Sequence, residues 1–246
     1  MYITTTGLVL RETLYKESSK LLTVLTADLG KVSVLAKGAR RRGSKTAAST
    51  QLLACSEMTL FEGKNGFTLT ESRCIELFEG LRTDLALLSL GSYFAEVLET
   101  VSQEDSHDPE LLSLGLNSLY ALSEGKRPGK LVKAAFEMRC ACLSGFLPAA
   151  ECCAVCGRPD IREPRLDLNE GLLYCGSCRK GTGTEAELCD ASLMALRHVI
   201  GAEPKKIFSF TLTGAGEARF SKACEEYLLT QLDRGFRTLD FYKSII

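Results

Sequence analysis

The sequence predicts an α+β protein of several domains: an N-terminal five-stranded barrel, then a helical bundle carrying an inserted four-cysteine module. Three observations predict it. Runs of β-type residues alternate with turn signals through the first 80 residues. Apolar residues recur at helical spacing from Leu81 to Phe146, and two C-x2-C pairs bound the interval 153–178. A length of 246 residues suits one large domain or two to three small ones. With 45% hydrophobic and 25% charged residues, the composition excludes a disordered or fibrous chain.

The first predicted strand is Tyr2 to Thr13, with Gly7 as a candidate bulge. Lys20 to Thr26 and Lys31 to Ala36 flank the turn Asp28-Leu29-Gly30. Glu57 to Glu62 and Phe67 to Arg73 flank Gly63-Lys64-Asn65-Gly66. Five short strands with two hairpins point to a small closed barrel, an OB-fold first and an SH3-like barrel as its rival.

After Gly80 the period changes. Leu111, Leu112, Leu116, Leu119 and Leu122 fall on one helical face, and Asp108-Pro109-Glu110 reads as a helix start, with Asp as the cap and Pro in the first turn. Gly125-Lys126-Arg127-Pro128-Gly129 interrupts the pattern between two helices. Past Pro148 cysteines cluster, and two amphipathic segments follow near Asp190 to Ile200 and Gly216 to Arg234. Phe236 to Ile246 is apolar enough to dock on the helices. The expected divisions are 1–80 (barrel), 81–147 (helices), 148–183 (metal module) and 184–246 (helices returning to the helical domain).

Cys153-Ala-Val-Cys156 and Cys175-Gly-Ser-Cys178 can bring four thiolates around one zinc ion, since each C-x2-C turn presents both sulfurs to one side. Leu166-Asp167-Leu168 and Leu172-Leu173-Tyr174 enclose Asn169-Glu170-Gly171, a turn that returns the second pair beside the first. Gly157 and Gly176 stand where a loop around a metal needs positive φ. Zinc is the expected occupant, with two redox dithiols or four buried thiols as alternatives. Four thiolates complete a tetrahedron and leave no position for water, so the expected site is structural. Cys152 offers a competing frame. Cys55, Cys74, Cys140, Cys142, Cys189 and Cys224 are expected to be small core residues.

Thirty basic against thirty-one acidic residues exclude a global polycationic attraction, so any anion site has to be local. Residues 1–80 carry 11 basic and 8 acidic residues, the most positive part of the chain. Between Asp28 and Glu57 there is no acidic residue, and Lys37, Arg40, Arg41, Arg42 and Lys45 crowd into KGARRRGSK after a predicted strand. Such a loop can neutralise phosphates, with each guanidinium forking onto two oxygens; a solvated surface loop is the plain alternative. Tyr15, Phe61 and Phe67 are candidate stacking residues whose barrel face the pattern leaves open.

Only His107 and His198 are present, neither beside a recognisable nucleophile, and there is no phosphate loop, H-E-x2-H or full dinucleotide fingerprint. The expected protein is not an enzyme. A zinc- or thiol-dependent enzyme and a protein-binding adaptor without DNA affinity are the rival classes. The N-terminus lacks a signal-peptide pattern and no apolar run reaches the ~18 to 20 residues of a membrane span, so a cytoplasmic protein is expected.

Three segments carry a resemblance. KESSKLLTVLTADLGKVSVLAKGARRRGSK (Lys16 to Lys45), CLSGFLPAAECCAVCG (Cys142 to Gly157) and LNEGLLYCGSC (Leu168 to Cys178) are similar to the RecO family of bacterial recombination mediators. The resemblance implies a DNA-binding OB-fold, a helical C-terminal domain with a zinc-finger-like insertion, and a role in the RecF pathway. It further implies strand annealing and, with RecR, loading of RecA onto single strands coated by single-stranded-DNA-binding protein (SSB), whose C-terminal tail is contacted. The basic loop maps to Lys37, Arg40, Arg41, Arg42 and Lys45, and the zinc ligands to Cys153, Cys156, Cys175 and Cys178. An acidic tail with a terminal carboxylate needs a cation beside an apolar groove. Lys130, Lys133 and Arg139, on a helix with Leu131, Phe136 and Met138, are the candidates, against a plain role as cations snorkelling from a core helix.

Overall fold

The computed structural model describes residues 1–64, 66–104, 106–178 and 184–246. Its strands are β1 (Tyr2–Tyr15), β2 (Ser19–Thr26), β3 (Gly30–Ala36), β4 (Cys55–Gly63), β5 (Gly66–Glu76), β6 (Arg165–Asp167), β7 (Leu173–Tyr174) and β8 (Glu185–Glu187). Its α-helices are α1 (Glu79–Arg82), α2 (Leu85–Val101), α3 (Pro109–Ser123), α4 (Gly129–Leu143), α5 (Asp190–Gly201), α6 (Gly214–Leu232) and α7 (Arg237–Ile245). Packing divides the chain into two compact units, Met1–Glu124 with Phe236–Ile246, and Gly125–Gly235.

In the first unit β1 to β5 close a barrel in the order β1-β2-β3-β5-β4. The 14 residues of β1 pair with β4 over Tyr2 to Leu8 and with β2 over Gly7 to Tyr15, so one strand serves two neighbours. β3 meets β5 in parallel and closes the ring. That closure is of the OB type. Alternation drives it: Val32, Val34 and Ala36 of β3 turn inward with Val9, Leu22, Val24, Met58 and Leu60, while Lys31, Ser33 and Leu35 turn outward. The register shift in β1 falls between Val9 and Arg11 rather than at Gly7. Gly7 is required for a different reason, since a Cβ there would lie 2.5 Å from the Val24 Cγ1. The predicted turn 63–66 contains Asn65, which lies outside the described residues.

Two helices of this unit, α2 and α3, begin at side-chain caps. Asp84 accepts the Ala86 and Leu87 amides, and Asp108 accepts that of Leu111, as the Asp-Pro-Glu sequence predicts. Gly30, at φ +65°, seats the β2–β3 turn against Gln103 and Ser106, where any Cβ would meet the Ser106 carbonyl. α7 returns to α2: Phe236 packs edge-on to Tyr93 at 5.6 Å, and the Glu96 carboxylate accepts the Thr238 amide and hydroxyl.

The second unit packs α4, α5 and α6 around Phe136, Cys140, Leu196, Val199 and Phe220, all buried. A small antiparallel sheet, β7-β6-β8, sits between α4 and α5 in the sequence and holds the cysteine pairs. The run of helical texture from Leu81 to Phe146 is therefore shared, α1 to α3 belonging to the unit of the barrel and α4 to the second unit, and the glycine-flanked break at 125–129 marks the division. No helix among the described residues is long and apolar enough to cross a membrane.

Candidate metal centre and nucleic-acid interface

Two backbone knuckles present the thiols. In the first, Gly157 N–H donates to the Cys153 carbonyl at 2.9 Å with Gly157 at φ +69°, the left-handed turn that glycine permits. In the second, Cys178 N–H donates to the Cys175 carbonyl at 3.0 Å. Gly176 is not left-handed there; its missing side chain makes room for Glu163, whose Oε2 would lie 2.3 Å from a Cβ. The β6–β7 hairpin aligns the knuckles, with Asp167 accepting the Asn169 and Glu170 amides at 2.9 Å. Ala154 N–H then donates to the Leu173 carbonyl and Cys175 N–H to the Cys153 sulfur.

The outcome is one cluster: the Sγ atoms of Cys153, Cys156, Cys175 and Cys178 all lie within 4.8 Å of one another. A tetrahedral zinc site with sulfurs at about 2.3 Å spaces them at roughly 3.8 Å, and Cys156 and Cys175 stand at 4.0 Å. The donor set therefore fits a thiophilic ion and can hold a metal. Burial disfavours ionisation of Cys153, but the backbone N–H groups of Cys156, Cys175 and Val155 outweigh it and bring that thiol down to about 6. Hydrogen bonding to Cys175 pushes Cys178 up to about 12, assisted by burial and by the neighbouring sulfurs. Four sulfurs this close do not all ionise without a cation between them. Cys152 is exposed and outside the cluster.

The remaining cysteines divide. Cys55, Cys140 and Cys224 are buried, as expected of small core residues, and Cys74 and Cys142 are partly so. Cys189 is instead the N-cap of α5, its sulfur facing the Ser192 amide.

On the barrel, the loop after β3 is folded by short-range bonds, Arg41 N–H to Gly38 O and Ser44 N–H to Arg41 O, with Gly38 and Gly43 at positive φ. Arg40 ties it to the β1–β2 turn, through its amide to Ser18 O and its Nη1 to Glu17 O. Lys37, Arg40, Arg41, Arg42 and Lys45 are all exposed, and none forms an ion pair with a described carboxylate. Five cations are thus gathered in one nine-residue loop. Of the aromatic candidates, Tyr15 and Phe61 are exposed, while Phe67 packs against the barrel core.

The three cations singled out on α4 have separate surroundings. Lys130 is exposed. Lys133 is buried, its Nζ 2.7 Å from both Glu137 Oε1 and Glu225 Oε2, and Arg139 donates to the Val199 and Ile200 carbonyls at the end of α5. Leu131, Phe136 and Met138 are core residues, so no open apolar groove is formed by this set. The helical period that puts a cation next to an apolar residue places Lys133 against α6 rather than in water. His107 is exposed, and the His198 ring faces the Lys206 carbonyl and Phe210.

Sequence reading missed Arg197, which donates to the carbonyls of Ala150, Glu151 and Pro159 on both sides of the first cysteine pair. No local signal marks it, because its acceptors are main-chain atoms at least 38 residues away.

Residues 1–78 match the family model described as the N-terminal domain of recombination protein O, and residues 82–240 its C-terminal domain. Among curated proteins, the DNA repair protein RecO of Acetivibrio thermocellus is 30% identical over 244 residues, 99% of this chain and 97% of the relative. That of Caldicellulosiruptor bescii is 30% identical over 243 residues, covering 99% and 98%. That of Heliobacterium modesticaldum is 34% identical over 206 residues, covering 82% and 74%.

Proposed function

Since the chain belongs to the RecO family of DNA repair proteins, we propose that it is a non-enzymatic recombination mediator of the RecF pathway. It anneals complementary strands and, with RecR, helps load RecA onto SSB-coated single-stranded DNA. The observation that carries this reading is the exposed run Lys37, Arg40, Arg41, Arg42 and Lys45 on one loop of the barrel, none of them ion-paired with a described carboxylate. Annealing needs no covalent step. It needs two strands whose mutual repulsion is neutralised while their bases stay free to pair, which a guanidinium-rich loop provides by gripping phosphates.

The work is divided along the chain. Residues 1–80 bind DNA, single- or double-stranded, and the helices of 81–147 and 184–246 engage RecR and the acidic tail of SSB, with Lys130 the exposed cation of the α4 set. Cys153, Cys156, Cys175 and Cys178 of the module 148–183 hold one zinc ion, which supplies rigidity alone because its four positions are filled by sulfur. The expected place of action is the bacterial cytoplasm, on the nucleoid.

Titration of a labelled single strand against salt tests the reading. If each loop cation neutralises one phosphate, log K falls against log salt with a slope of roughly −3.5, and Ala at Arg40, Arg41 and Arg42 flattens it by about 2. Binding indifferent to salt would instead favour a protein-binding adaptor.

A further inference from the structure

The loop explains phosphate binding but leaves the bases without a partner. On the outward face of the barrel, register places Tyr15 opposite Ser19, Thr13 opposite Leu21, and Leu21 opposite Leu35. Tyr15 is therefore diagonal to Leu21, a separation that an aromatic side chain spans. Both are 40% exposed, and Leu35 is partly exposed beside them. A tyrosine and two leucines thus form an uncovered strip across β1, β2 and β3.

Its surroundings are cationic. Lys16 Nζ stands 5.3 Å from the Tyr15 ring centroid. Lys37 follows two residues after Leu35, and Arg40 is bonded to Glu17 O and Ser18 O, within three residues of Tyr15. Two carboxylates stand at this end, Glu12, which is paired with Lys20, and Glu17 in the turn. The exposed aromatic pair Tyr2 and Phe61, at 5.2 Å, lies on β1 and β4, the latter carrying Glu57 and Glu62, and no bond among the described residues ties the basic loop to it. The basic loop is therefore bonded beside Tyr15 rather than beside the Tyr2–Phe61 pair.

We propose that Tyr15 is a base-stacking residue, its platform continued by Leu21 and Leu35, for a single DNA strand whose phosphates lie on the neighbouring loop cations. Stacking suits a mediator that binds any sequence, because every base has a π-face and none needs a specific hydrogen bond. The inference rests on the loop being the phosphate site, and the experiment separates the two.

Fluorescence anisotropy of the full-length chain is measured with labelled oligothymidylate and with an abasic deoxyribose-phosphate oligomer of equal length. Tyr15→Ala is expected to weaken oligothymidylate binding by at least roughly five-fold, leave its salt slope unchanged, and leave abasic binding as in the wild type, while Tyr15→Phe retains wild-type affinity. The unaffected abasic oligomer also reports that the variant is folded. Equal affinity of Tyr15→Ala and wild type for oligothymidylate, with the slope still flattened by the triple arginine change, overturns the stacking proposal alone. A triple variant with the wild-type slope overturns the phosphate reading and this proposal with it.

Discussion

Lys133 shows what one buried charge does in this protein. Its ammonium is 2.7 Å from two carboxylates, Glu137 on its own helix and Glu225 on α6, so a single cation fastens two helices. Burial opposes the charged form, yet the two glutamates outweigh it and raise the Lys133 pKa above its ordinary value. With the folded pKa above the unfolded one, the stabilisation is complete below about pH 10.4 and is lost as pH rises through the folded value. The expected outcome is a second unit that loosens in alkali, read by circular dichroism across that range. Lys133→Met would leave Glu137 buried without its counter-ion and should cost ~3–5 kcal/mol in urea denaturation, whereas changing Lys133 and both glutamates to apolar residues should recover much of the loss. The sequence disclosed none of this, because the i,i+4 spacing of Lys133 and Glu137 is equally that of a solvated pair and Glu225 is 92 residues away.

At the scale of elements, helices hold the cysteine-bearing segment through its main chain. Arg197 on α5 donates to Ala150 O, Glu151 O and Pro159 O, and on α6 Gln231 reaches the Leu168 and Asn169 carbonyls and Tyr227 that of Phe146. The strands of the module have only two or three residues and little core of their own, so these carbonyl contacts orient the knuckles. Arg197→Ala is expected to destabilise the second unit by ~1.5–3 kcal/mol, the range for a hydrogen bond to a charged group. It should also speed loss of the proposed zinc to a chromogenic chelator by roughly tenfold. Arg197→Lys should fail to restore either, since one ammonium on a flexible stem cannot reproduce a planar fork spanning three acceptors. The strands and capped helices were legible because their signals lie within a few residues: inward Val32, Val34 and Ala36, or Asp108 before Pro109. A clamp between α5 and a loop is not of that kind.

For the whole molecule, the cysteine cluster belongs to one compact unit and the barrel to the other. Removal of the proposed ion should therefore be felt locally first. Hydrogen exchange after chelation is expected to show lost protection between Ala150 and Cys178, with the barrel strands β1 to β5 still protected, and equal loss in both would refute the division. Metal analysis should give one zinc per chain for the wild type and for Cys152→Ser, and none for Cys153→Ser, since only Cys153 of that pair faces the other three sulfurs. Acid should release the ion because the thiolates must stay deprotonated to bind.

Sequence alone determined the barrel, the start of α3 at Asp108, the doubled C-x2-C and the cationic loop, each written in neighbouring residues whose period or spacing is itself the physical constraint. Tertiary structure decided which cations are exposed and which are consumed internally, where the chain divides, why Gly7 and Gly176 are glycines, and on which barrel face Tyr15 lies. Those outcomes depend on atoms that folding brings together from distant parts of the chain, and a local pattern carries no record of its distant partner.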